Sequence, residues 1–294
     1  VEHLSNTPRQ IFIARGLGYA LPEFAHLPYV AEPGGTAKLS KRKLDKYLKN
    51  REFKQLFEHG DAILQRLGRE RDPETFNPVL VDFYQEVGYL PTAVLNYLLL
   101  LGWSLDDKTE VFSREAMIEA FSLARVNKSP ASFDPQKLAA FQDREMRGVP
   151  EKQKVALVLP YLQGAGWVSR PPPCSTADLL SRVLAGAGDR IKVAGDILDY
   201  PEFFVQDDAL CYDENAVEKR LRKPTEAARL LSALEAQLAV VAPFDAPTLD
   251  KLLHDFVAEH EIKIGQIIHA LRVAITGKPV GAGDVRNPGD IRAR

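Results

Sequence analysis

From Val79 onward, nearly every segment of the chain couples an apolar run of helical period to a residue that starts or stops a helix, and this leaves little room for any other secondary structure. Pro91 suits a first helical turn, where its missing N–H would be unbonded anyway, and it opens a helix over 93–101 that Gly102 closes. Ser113 is placed as the N-cap of the next helix, and Asp134-Pro135 begins another that runs to about Met146. Further helices are expected over 151–162, 176–184, 225–240, 248–259 and 265–275. Leu95, Leu98, Leu99, Leu101 and Trp103 read as core, as do Phe133 and Leu138. The run Arg170-Pro171-Pro172-Pro173 must be extended, because each proline restricts the residue before it; it is a linker between helices or a domain edge.

The first 78 residues read differently. Short apolar runs among Gly16, Gly18 and Pro22 give a helix, a turn and a strand over 11–30, the end of an α/β unit. A helix-period stripe of Leu48, Phe53, Leu56, Phe57, Ile63, Leu64 and Leu67 predicts one helix over 44–67, and 69–78 is a connector. At 294 residues and 45% hydrophobic content the chain can bury two or more cores. Cys174 and Cys211 are too few for a disulfide framework and lie in no metal-ligand spacing, so a reducing cytoplasm is expected and no metal site. No apolar stretch is long enough to span a bilayer, and the N-terminal residues do not form a signal peptide. A chain opening on Val1 without methionine reads as a fragment.

The formal net charge of −2 hides an asymmetry. Between Lys38 and Lys54 stand Lys38, Lys41, Arg42, Lys43, Lys46, Lys49, Arg51 and Lys54 against only Asp45 and Glu52. A local positive field on an otherwise acidic chain suits a polyanion, either nucleotide phosphates or a nucleic-acid backbone; a solvated basic helix face is the alternative.

Lys38-Leu39-Ser40-Lys41-Arg42, preceded by Gly34-Gly35, resembles the second signature of class I aminoacyl-tRNA synthetases in the form found in the glutamyl and glutaminyl branch. Asn6-Thr7-Pro8-Arg9-Gln10 and Phe24-Ala25-His26-Leu27-Pro28 are similar to the same family upstream of that loop. Gly88-Tyr89-Leu90-Pro91, Leu95-Asn96-Tyr97-Leu98, Leu101-Gly102-Trp103-Ser104 and Lys128-Ser129-Pro130-Ala131 resemble its following blocks. Leu271-Arg272-Val273-Ala274-Ile275-Thr276-Gly277 resembles its C-terminal motif. The chain is thereby identified as similar to the C-terminal portion of bacterial-type glutamyl-tRNA synthetases.

That resemblance implies a mainly α fold: the end of a Rossmann-type α/β catalytic domain over 1–37, then the signature loop and stem-contact domain over 38–145, with a helical insertion at about 43–87. An all-helical anticodon-binding region would follow over 146–294, with a candidate subdivision near 205. Helices rather than β-barrels there favour glutamate over glutamine. The implied activity is ATP-dependent attachment of glutamate to tRNA(Glu), with tRNA(Gln) as a second candidate, by a cytoplasmic monomer using ATP with Mg2+. Lys41 and Lys38 would be catalytic, meeting charge that builds on phosphate oxygens as the glutamate carboxylate displaces pyrophosphate. Lys38, Leu39, Ser40, Lys41 and Arg42 would line ATP, with Gly34 and Gly35 as hinge. Lys43, Lys46, Lys49, Arg220 and Arg222 are candidate tRNA contacts. The family's His-Ile-Gly-His-like first signature is absent from the sequence, so this portion alone is expected to bind no cofactor and to be inactive; the alternative is a stand-alone tRNA-binding module. Two departures stand out: the segment between Lys43 and Val87, where the family usually has about a dozen residues, and a Gly- and Pro-rich 278–294 in place of a final helix.

Overall fold

The computed structural model describes residues 3–72 and 74–279 and falls into two units, Val1–Gly148 and Val149–Arg294. The mainly helical fold expected from the periodicity is what it shows. The C-terminal departure from residue 280 lies outside the described residues.

In the first unit, helix α1 (Thr7–Gly16) is followed by a turn, irregular chain and a two-residue strand β1 (Val30–Ala31). Helices α2 (Leu44–Tyr47), α3 (Arg51–Arg66), α4 (Val81–Val87), α5 (Pro91–Leu100) and α6 (Arg114–Ala120) precede strand β2 (Ala131–Ser132), and α7 (Pro135–Gly148) closes the unit. The strands pair in parallel, Val30 with Ala131 and Ala31 with Ser132.

The starts and stops have identifiable chemistry. Pro91 stands in the first turn of α5, Ser113 Oγ accepts from the Ala116 N–H, and Asp134 Oδ1 accepts from the Lys137 N–H at 3.0 Å. The single helix expected over 44–67 is two. Asn50 has extended backbone and its side chain accepts from the Phe53 N–H, so it ends one helical turn and caps the next, although the apolar stripe continues across the break.

Helix α3 buries Phe53, Leu56, Phe57, Ile63 and Leu64, and packs on α4 and α7. An aromatic chain runs through this core: Tyr47 on Phe53, Phe53 on Phe133, and Phe133 on Tyr97, with centroids 5.4, 6.1 and 5.7 Å apart. Leu95 and Leu98, expected in the core, are about half exposed instead. Helix α5 is apolar on all sides, and the face it buries carries Ala93, Asn96 and Tyr97. Asn96 is there because its amide is used twice, donating to the Glu110 carbonyl and accepting from the Phe112 N–H at 2.7 and 2.8 Å. Gln142 of α7, fully buried, accepts from the Leu90 N–H and so ties the entry of α5 to α7.

The second unit begins with α8 (Glu151–Gly164) and α9 (Thr176–Ala187); the proline run between them bends at Arg170 and Pro171, where an extended course was expected. Between residues 188 and 209 the chain forms short 3-10 turns that the sequence did not announce. They bury Ile191, Val193, Ile197 and Leu198, and Asp196 accepts from the N–H groups of Lys192 and Val193. Helix α10 (Glu214–Val217), capped by Asp213, widens into a π turn over Glu218–Arg222. Helices α11 (Ala227–Leu238), α12 (Ala246–Glu259) and α13 (Ile264–Thr276) then close a core of Leu230, Leu234, Leu253, Phe256 and Ile267. Gly277 ends α13 at φ +72°, and a Cβ there would lie 2.6 Å from the Cys211 carbonyl oxygen. This position therefore requires glycine twice over.

Gly60, inside α3, faces Phe83 so closely that an added Cβ would fall 2.6 Å from its ring. Alanine would gain helix propensity of about 1 kcal/mol but overpack the contact by about 1–3 kcal/mol. Gly60→Ala is therefore expected to lower stability in urea denaturation, the opposite of the usual result for a helical glycine. In the second unit, burial raises the pKa of Glu202 above the usual glutamate range, against the opposing pull of Lys278. The folded state then binds the proton more tightly than the unfolded state, so stability falls as pH rises from the ordinary glutamate range through the raised value. Glu202→Gln is expected to flatten that slope in denaturation curves collected from pH 4 upward.

Candidate functional site

The signature loop grows out of β1. After Ala31 the chain turns at Glu32, whose N–H donates to the Ala37 carbonyl at 2.7 Å, and Gly34 sits at φ +66° to complete the reversal. The Leu39 N–H returns to the Val30 carbonyl at 2.9 Å, so Lys38 and Leu39 run back antiparallel to the strand. The turn is seated on β2: Ser132 Oγ donates to the Glu32 carbonyl and accepts from the Gly34 N–H at 2.8 and 3.2 Å. Gly35 is required by space rather than by dihedral, since a Cβ there would fall 2.9 Å from the Glu32 side chain that crosses it.

Beyond Leu39 the loop makes a short 3-10 turn over Lys41–Lys43 and enters α2. The Ser40 N–H donates to the Tyr47 hydroxyl at 2.9 Å, and Asn77 Nδ2 donates to the Lys41 carbonyl at 3.0 Å. Lys46 Nζ donates to a Glu32 carboxylate oxygen. That carboxylate is buried, its other oxygen finding no partner among the described residues. Tyr47, Asn77 and Glu32 were not singled out in the sequence; Tyr47 falls outside the apolar stripe, and Asn77-Pro78 and Glu32-Pro33 look like ordinary turn formers.

Fixed backbone and exposed charge are thus combined. Lys38, Lys41, Arg42, Lys43 and Lys49 are all exposed. Among the described residues, Arg42, Lys43 and Lys49 have no carboxylate within ion-pair reach, while Lys41 has only a loose, solvent-exposed pairing to Glu74 at 3.7 Å. Lys46, by contrast, is committed to Glu32. The second-unit candidates differ in the same way: Arg222 is held by Glu214 at 2.5 Å and Glu218 at 3.8 Å, and Arg220 is half-buried on the π turn. Within the loop, Lys38, Lys41 and Arg42 are exposed around the half-buried Leu39 and Ser40, and a chain of phosphates fits such a cluster of cations. Among the described residues no group of three or more His, Cys, Asp or Glu side chains could hold a metal ion.

Residues 153–286 match the family model described as the anticodon binding domain, and residues 71–140 match that of the class I tRNA synthetases for E and Q, catalytic domain. The glutamate–tRNA ligase of Moorella thermoacetica is 33% identical over 282 residues, covering 96% of this chain and 50% of that protein. That of Desulforudis audaxviator is 32% identical over 283 residues with the same coverage. Over nearly its whole length the chain is similar to glutamyl-tRNA synthetases. Among solved structures, a glutamate tRNA ligase from Elizabethkingia meningosepticum in complex with its amino acid is similar with a TM-score of 0.69 and 25% identity, over 99% of this chain and 52% of that one. A glutamate-tRNA synthetase from Elizabethkingia anophelis gives a TM-score of 0.68 at the same identity and coverage. The chain spans about half the length of the synthetases it matches, and corresponds to their C-terminal half. Loop 38–42 lies ahead of the stretch matched by the synthetase catalytic model, within the longer stretch aligned to the relatives.

The Glu32–Lys46 pair gives a direct check on the geometry. Lys46→Met leaves a buried carboxylate unpaired and is expected to destabilise the protein by about 1–3 kcal/mol, much of which a second change, Glu32→Gln, should restore. Simple additivity of the two effects in a double-mutant denaturation cycle would contradict the pairing.

Proposed function

We propose that this chain is the tRNA-engaging C-terminal half of a glutamate–tRNA ligase, and that loop 38–42 is its contribution to the ATP site. The observation that carries the reading is the loop itself: a backbone tied at Ser40 and Lys41, bearing Lys38, Lys41 and Arg42 outward, in a chain whose relatives are named for this activity. In the reaction the glutamate carboxylate attacks the α-phosphorus of ATP and pyrophosphate leaves, so charge accumulates on phosphate oxygens. Lys41 meets that charge as it develops and Lys38 holds the phosphates as a second point charge. Ser40 and its neighbours supply hydrogen bonds, and Mg2+ accompanies the nucleotide. The enclosing half-site belongs to the Rossmann-type domain, whose C-terminal edge is formed by residues 1–37. The exposed apolar side chains Phe12, Ile13, Leu17 and Tyr19 in and after α1 support an edge that another body covers.

On this reading residues 38–145 carry the loop and the stem-contact domain, and 146–294 the anticodon-binding region. The substrate is tRNA(Glu), with tRNA(Gln) a second candidate, and the ligase acts as a cytoplasmic monomer. No described helix is long and apolar enough to cross a membrane. Of the basic residues near the loop, Lys43, Lys49 and Arg51 are the candidates for tRNA phosphates, since Lys46 is committed to Glu32.

In the complete ligase, Lys41→Ala should slow ATP–pyrophosphate exchange by about two to three orders of magnitude, the scale of removing one charge-stabilising group, while tRNA affinity stays near that of the parent. Undiminished exchange would remove the catalytic role.

A further inference from the structure

The segment 43–87 is longer than the resemblance of the signature loop leads one to expect, and its basic residues alone suggest only a nucleic-acid contact. Its geometry says something else. Among the described residues, the hydrogen bonds to the Ser40 N–H and the Lys41 carbonyl come from this segment, from Tyr47 and Asn77, and Lys46 closes on Glu32 at the base of the turn. We propose that segment 43–87 is a brace for the signature loop, with Tyr47, Asn77 and Lys46 as positioning residues that hold its backbone ready for the phosphates of ATP. This rests on the reading of loop 38–42 as the ATP loop.

Three features separate a brace from a helix that merely fills space. The ties go to backbone atoms and to the turn carboxylate, leaving the signature cations at the surface. They are made by groups that packing alone does not call for: phenylalanine would fill the site of Tyr47 equally well, yet the hydroxyl of this buried ring sits 2.9 Å from the Ser40 nitrogen. Asn77, also buried, has both ends of its amide in use, Nδ2 on Lys41 and Oδ1 accepting from the Val79 N–H at 3.0 Å, so its orientation is fixed. The brace is itself rigid, because Tyr47 packs on Phe53 of α3 and Phe53 on Phe133, one residue beyond the strand that seats the turn. A loop held in its binding conformation avoids the ordering penalty that a free loop meets when its ligand arrives.

The test uses Tyr47→Phe, which removes one oxygen and keeps the ring, and Asn77→Asp, which keeps the acceptor for Val79 and removes the donor to Lys41. In this chain, amide hydrogen exchange at Ser40 should quicken about fivefold to tenfold in Tyr47→Phe while α5 and α7 keep their protection. In the complete ligase each variant should raise the KM for ATP about threefold to tenfold in ATP–pyrophosphate exchange and leave the KM for glutamate unchanged, which a general drop in stability would not do. Unchanged hydrogen exchange at Ser40 overturns the brace, as does faster exchange with an unchanged or lower KM for ATP. A Lys41→Ala enzyme that exchanges pyrophosphate normally would remove the ATP reading of the loop. An inactive Lys41→Ala beside a kinetically silent Tyr47→Phe and Asn77→Asp would remove the brace alone.

Discussion

The first unit depends on a pairing only two residues long. Val30 and Ala31 lie parallel to Ala131 and Ser132, a hundred residues further along the chain, and the Phe133 N–H extends the contact to the Ala31 carbonyl at 2.9 Å. Closing so long a loop for so few hydrogen bonds is unfavourable by itself. It stands because Phe133 carries the pairing straight into the aromatic core, against Phe53 and Tyr97. From that junction the turn at Glu32 is seated on Ser132, and the loop with its lysines is held above it.

The position of charge follows from the same arrangement. Eight basic side chains fall between Lys38 and Lys54, and the structure sorts them by partner rather than by density. Lys46 is spent on a buried carboxylate, Lys54 pairs with Glu58 on its own helix, and Lys41 keeps only a loose surface contact. Arg42, Lys43 and Lys49 are left for an external anion. A cluster that looks uniform in sequence therefore contains one structural cation among several that face outward.

Much of the fold was legible because helix ends announce themselves locally. Pro91, Ser113 and Asp134 each act within three residues of where they stand, and Gly277 ends its helix with the left-handed backbone that glycine tolerates. What was missed is of two kinds. Asn50 interrupts a continuous apolar stripe, and a side-chain cap leaves no mark on periodicity. The 3-10 turns between 188 and 209 are too short to show a repeat at all. For the site, the signature loop was legible as a motif, whereas its supports were not: Tyr47, Asn77 and Ser132 reach it from 7, 36 and 98 or more residues away. Leu95 and Leu98 show the reverse error, because in a helix apolar on every side only three dimensions decide which face is buried.

The central claim is that these residues engage tRNA, and direct titration of this chain with tRNA(Glu) across a range of salt concentrations tests it. Specific binding is expected, stronger for tRNA(Glu) than for an unrelated tRNA. Replacing Lys43, Lys49 and Arg51 together by glutamine should weaken it and reduce the slope of log affinity against log salt by about one for each phosphate that the variant no longer neutralises. Equal affinity for any tRNA, with a salt slope the triple variant leaves untouched, would contradict it.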